Sequence, residues 1–86
     1  MKVINKFIDS RTKEVLRKIT PYLKSDDRIL DIGSGGCAIA KSLKDDGYEI
    51  TSLDIANRSV YQDFRPVIYD GLHIPFPDNS FDVALL

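Results

Sequence analysis

Apolar and polar positions along this 86-residue chain follow two rhythms that alternate. Val3, Ile4, Phe7 and Ile8 recur at helical spacing and predict a short amphipathic lead-in over residues 3–9. From about Arg11 the same period returns, with Val15, Leu16, Ile19, Tyr22 and Leu23 on one face. Pro21 interrupts it, either kinking the helix or opening a new turn with Thr20 as its cap. Lys24-Ser25-Asp26-Asp27 is a polar turn. A short apolar run, Ile29, Leu30 and Ile32, then predicts a buried strand over about 28–32. Gly33, Gly35 and Gly36 crowd the next turn, and Ala38 to Leu43 reads as a helix ending near Asp46 with Gly47 as its stop. Tyr48 to Leu53 predicts a second strand with Asp54 at its end, and Asn57 to Tyr61 a single helical turn. Pro66 to Tyr69 is a third strand, closed by Asp70-Gly71. The proline-punctuated stretch 72–80 is a loop, and Phe81 to Leu86 a fourth strand.

Strands alternating with helices imply an α/β fold with a parallel sheet and right-handed crossovers. Four strands in the order 3-2-1-4, with flanking helices, place a switch point between strands 1 and 4, where a crevice opens for a ligand. Charge divides the chain into an N-terminal helical segment, 1–24, and a remainder, 25–86. The first holds seven Lys or Arg against two acids; the second holds five against eleven. The basic segment reads as a solvated helix face, and no interleaving of aromatic with basic residues points to nucleic acid. The single Cys37 excludes an internal disulfide. No apolar run nears the roughly 18 residues of a membrane span, and the first residues lack the apolar stretch of a signal peptide. A cytoplasmic protein is the expectation.

The chemistry concentrates in the glycine turn. Such a turn lets a ligand approach bare backbone at a helix start. Gly33-x-Gly35-x-x-Ala38 fits a dinucleotide fingerprint, and Asp54 follows Gly35 by 19 positions, near the spacing of a ribose-binding acid. Asp31, two positions before Gly33, argues otherwise. A carboxylate there repels a pyrophosphate and suits a ligand carrying a cation. His73 reads as an exposed loop residue rather than a general base, and Cys37 as small packing rather than a nucleophile.

Ile29-Leu30-Asp31-Ile32-Gly33-Ser34-Gly35 resembles the first motif of class I S-adenosylmethionine-dependent methyltransferases. Thr51-Ser52-Leu53-Asp54 resembles their second acidic motif, and Tyr69-Asp70-Gly71 their third. The stretch from Leu72 to Asp82 is similar to the segment before their fourth strand and is the most specific of the four. The resemblance implies a Rossmann-like fold, S-adenosylmethionine as cofactor and methyl transfer as function. It implies that Asp31 and the backbone of Gly33, Ser34, Gly35 and Gly36 hold the methionine moiety. Asp54, with Ile55 beside it, would take the ribose hydroxyls, Asp70 the adenine amino group, and Gly71 and Leu72 the ring. Cys37 stands where the family often has a third glycine, placing a side chain near the methionine end of the cofactor. The resemblance names neither the methyl acceptor nor a catalytic residue. Family members continue beyond the fourth strand, so the chain reads as the cofactor-binding half of such a domain. A non-catalytic nucleotide- or NAD-binding module is the alternative. The final strand, left without a neighbour, predicts an apolar edge that pairs with another chain.

Overall fold

A computed structural model describes residues 1–6 and 11–86. Five strands form one parallel sheet: β1 (Lys2–Ile4), β2 (Arg28–Ile32), β3 (Glu49–Asp54), β4 (Val67–Ile68) and β5 (Val83–Leu85). Their order is β1-β5-β2-β3-β4. The four strands expected from the sequence therefore keep their expected order, and a fifth lies beyond them. The sheet is Rossmann-like, with the chain running one way from β2 through β3 to β4 and the other way to β5. The switch point falls between β2 and β5.

The N-terminal strand corrects two expectations. Residues 2–4 are extended, not helical, and pair with β5 in register Lys2↔Val83 through Ile4↔Leu85. Residues 7–9 of the expected lead-in lie outside the described residues. The ladder runs past the strand ends, because Lys6 N–H donates to the Leu86 carbonyl at 2.9 Å and Leu86 N–H to the Ile4 carbonyl at 2.9 Å. The edge of β5 expected to be bare is thus filled by the chain's own first residues. The premise of pairing with another chain through that edge does not hold.

Side chains alternate across each strand, so Ile29, Val83 and Leu85 share one sheet face. Two helices cover that face. α1 (Thr12–Ile19) contributes Val15 and Ile19, and α2 (Ala38–Asp45) contributes Leu43, to one buried cluster with those strand residues. Gly47, at φ +95°, ends the α2 segment as expected. At the end of α1, a 3-10 turn over Thr20–Tyr22 accommodates Pro21, and the Thr20 hydroxyl donates to the Leu16 carbonyl at 2.8 Å. The change of pitch rotates Tyr22 off the core face, and its side chain is exposed. No helical turn forms over 57–61; that stretch is irregular. Phe64 from the following residues packs instead against Cys37 and Ala40 of the turn and α2.

The opposite sheet face carries Leu30 and Ala84, both buried. The proline loop folds toward it, with Phe76 and Phe81 edge-to-face at 5.2 Å between ring centroids. A cavity of about 270 Å³ lies there, walled by Leu30, Met1, Ile74, Phe76 and Phe81 among others. At the amino ends of the strands, Arg28 clamps β2 to β5. Its backbone N–H and Nε donate to Asp82 Oδ2 at 2.8 and 3.1 Å, and its Nη2 to Oδ1 at 3.0 Å. The Arg28 side chain and backbone N–H hold the Asp82 carboxyl down to about 2.

Candidate functional site

Because all five strands are parallel, their carboxyl ends share one edge. Asp31 lies near the end of β2, Asp54 ends β3, and Asp70 follows β4 by two residues. The sheet therefore gathers the three carboxylates singled out from the sequence, together with the glycine turn.

The turn is built from backbone geometry that side chains resist. Gly33 and Gly35 have φ of +69° and +55°, and a Cβ on either would meet nothing within 4 Å. The glycines are needed for conformation, and the space beside them is open to a ligand. Gly33 N–H donates to the Leu53 carbonyl at 2.8 Å, tying the turn to the end of β3. Gly35 N–H donates to Asp54 Oδ2 at 2.8 Å, and Ile55 N–H to Asp54 Oδ1 at 2.7 Å. Burial pushes the Asp54 carboxyl up. The N–H groups of Gly35, Ile55 and Ala56 and the nearby Arg58 guanidinium outweigh it, so the net shift is downward. Arg58 Nη1 stands 3.6 Å from Asp54 Oδ1. Asp54 thus anchors the turn from across the sheet. Each of its oxygens has further lone-pair capacity for a hydroxyl donor.

Cys37 takes a third positive φ, +69°, just before α2. The resembled family often has glycine at this position, and a left-handed backbone is one that glycine adopts without strain. The Cys37 side chain is fully buried among Ala40 and Phe64. It packs behind the turn, in keeping with its reading as small packing.

Asp31 carries the least anticipated contact. It is buried, and its Oδ1 accepts from the Lys6 ammonium. The same ammonium donates to the carbonyls of Ile32 at 2.8 Å and Gly33 at 3.2 Å. Burial pushes the Asp31 carboxyl up, with Lys6 opposing it. Asp31 Oδ2 has no hydrogen-bond partner among the described residues, nor does the Oγ of Ser52, its register neighbour on β3. A buried carboxylate oxygen without a donor is unmet acceptor capacity at the head of the turn.

Asp70 serves its own loop. Its Oδ1 accepts from the N–H groups of Leu72 at 2.8 Å and His73 at 2.7 Å, and its Oδ2 lies 2.7 Å from His73 Nδ1. The His73 side chain first, and these backbone donors after it, lower the Asp70 carboxyl to about 2. His73 is exposed, as expected, but it is engaged. Gly71, at φ +84°, would bring a Cβ to 3.3 Å from Ile55 Cγ2, so the loop presses on the residue after Asp54. Ile55 and Leu72 are 56% and 82% exposed, large apolar side chains beside the acidic row. Val60 is also exposed and meets the turn, its N–H donating to the Gly36 carbonyl at 3.2 Å.

Sequence reasoning missed Lys6, Arg58, Ser52 and Val60. Lys6 sits in a basic stretch that reads as a solvated face, and no local pattern marks one lysine as buried. Arg58 follows Asp54 by four positions, a spacing that joins residues on a helix; here an irregular segment brings them together. Among the described residues no group of His, Cys, Asp and Glu could hold a metal ion, and no helix is long and apolar enough to cross a membrane.

Comparison with known proteins agrees with this geometry. The family model described as "Methyltransferase domain" matches residues 30–86, which contain the glycine turn and all three carboxylates. An eEF1A lysine and N-terminal methyltransferase homolog of Drosophila melanogaster is 30% identical over 83 residues, covering 84% of this chain and 12% of that protein. The chain thus spans about an eighth of the length of that relative. No solved structure matches at a significant level. A glycine turn entered from a carboxylate-bearing strand and anchored by a second carboxylate, within the matched stretch on a parallel sheet, places this chain in the methyltransferase-domain family of class I.

Proposed function

We propose that the chain binds S-adenosylmethionine across the carboxyl ends of β2, β3 and β4, and so supplies the donor side of a methyl transfer. The observation that carries this reading is the ammonium cradle at the head of the turn. One carboxylate and two carbonyl oxygens converge there on an ammonium, and a buried carboxylate oxygen is left over. This set of acceptors selects an amine and opposes a pyrophosphate, which favours an amino-acid-bearing nucleoside over NAD.

The remaining residues fit the rest of such a ligand. Asp54 accepts from Gly35 on one oxygen and from Ile55 on the other, and each oxygen keeps lone-pair capacity for a hydroxyl. Ile55 and Leu72 offer apolar surface for a ring, with Gly71 keeping the loop close to Ile55. Asp70 spends its oxygens largely on the loop, so its contribution to an adenine is to hold Leu72 in place. When bound, the cofactor supplies an electrophilic methyl group. The chain's own part is to fix the donor, because transfer depends chiefly on aligning donor with acceptor.

Titration calorimetry of the chain with S-adenosylmethionine and, separately, with NAD tests the reading. Saturable binding of S-adenosylmethionine, with NAD at least tenfold weaker, is expected. Tighter binding of NAD overturns it in favour of a nucleotide-binding module.

A further inference from the structure

The cradle that suits a ligand ammonium already holds one. Lys6 lies beyond β1 at the outer edge of the sheet, and its backbone pairs with Leu86 at the end of β5. Its ammonium reaches Asp31, Ile32 and Gly33 at the end of β2, the next strand but one. The side chain therefore passes over the end of β5 and across the switch point, the crevice where ligands of parallel α/β sheets bind. Lys6 is 4% exposed there. An ammonium has three N–H donors, and the three acceptors named here match that number. A second ammonium on these oxygens would stand beside the first, and two like charges so close repel.

We propose that Lys6 is an intramolecular occupant of the cation site, so that the ammonium of an incoming S-adenosyl amino acid must displace it and the N-terminal segment gates cofactor binding. This rests on the cofactor reading above. The affinity observed for such a ligand is then the intrinsic affinity reduced by the fraction of molecules with Lys6 withdrawn. Ligands that lack the ammonium escape the competition.

Two probes separate these cases. S-adenosylhomocysteine carries the ammonium; 5′-methylthioadenosine shares the nucleoside and lacks it. By calorimetry, Lys6→Met is expected to bind S-adenosylhomocysteine at least tenfold more tightly than the unaltered chain, and 5′-methylthioadenosine equally. A second measurement needs no variant. Brief labelling with acetic anhydride, read by peptide mass spectrometry, should leave Lys6 protected in the free chain, with exposed Lys13 and Lys24 as references. Saturation with S-adenosylhomocysteine should raise Lys6 labelling at least fivefold, and saturation with 5′-methylthioadenosine should not. Unchanged or weaker binding of S-adenosylhomocysteine to Lys6→Met, or Lys6 still protected in its complex, overturns the gating while 5′-methylthioadenosine binding upholds the cofactor site. Failure of both ligands to bind either protein overturns the cofactor reading and the gating with it.

Discussion

Asp54 shows how one side chain can serve fold and site together. Its carboxylate accepts from Gly35 and Ile55 and so stitches the turn after β2 to the end of β3. Hydrogen bonds to a charged acceptor contribute about 1.5–3 kcal/mol each. Asp54→Ala is therefore expected to lower unfolding stability by about 2–3 kcal/mol in urea titration and to abolish cofactor binding. Asp54→Asn keeps one oxygen acceptor and separates the roles. Its stability loss should be near 1 kcal/mol, while S-adenosylmethionine affinity falls about tenfold. Equal affinity for Asp54→Asn and the unaltered chain would remove Asp54 from the site and leave it as a turn anchor. Cys37 offers a residue-scale contrast. It holds a left-handed φ of +69° and is fully buried. A β-branched residue resists that φ strongly, so Cys37→Val should destabilise the chain by about 2 kcal/mol in the same titration.

At the scale of elements, the strands are joined at both ends by polar ties, and the tie between β2 and β5 at their amino ends is sensitive to acid. Asp82 is held to about 2, well below an ordinary aspartate, by the Arg28 side chain and backbone N–H. A carboxylate with a depressed folded pKa contributes stability that is present above its unfolded value, near 3.8, and lost as pH falls toward the folded value. The thermal midpoint of the chain should therefore drop between about pH 4 and pH 2. Asp82→Asn should lower the midpoint at pH 7 and flatten this acid limb. An acid limb of the same depth in Asp82→Asn would show that other carboxylates carry it; Asp70, also near 2, is the next to examine. The helices depend on burial instead. Leu43 of α2 is fully buried against Ile19, Ile29 and Val83 among others. Leu43→Ala is expected to cost about 3 kcal/mol, since a large cavity opens where two helices and the sheet meet.

Over the whole molecule, the sheet is bounded by two short edges. β4 has two residues and is preceded by Pro66, which has no N–H to donate. β1 has three residues and covers β5, whose three residues are all buried. Covering an apolar strand removes the template for pairing with another chain. Sedimentation equilibrium at micromolar concentration should then find a monomer. A chain lacking residues 1–6 should associate or precipitate, because the buried edge of β5 becomes available. A monomeric, folded truncated chain would show that β1 is dispensable for masking that edge. The same N-terminal residues carry Lys6 to Asp31, so one segment closes the sheet and reaches the site proposed for the ligand ammonium.

Local patterns in the sequence determined the parallel α/β class, the order of four strands and the positions of Asp31, Asp54 and Asp70 at the site edge. Each of these depends on short-range rules. Periodicity sets element type, glycine sets turns, and the carboxyl ends of parallel strands must share an edge. The tertiary structure alone decided what residues 2–6 do. An apolar pair such as Val3 and Ile4 suits a helix or a strand equally, and the open ladder of β5 selects the strand. It alone decided that Lys6 is buried. The pull on a lysine comes from Asp31, 25 positions away in sequence, and from carbonyls freed at the end of β2. It also decided that Asp70 serves its loop, since that depends on which N–H donors the folded chain brings within reach of its oxygens.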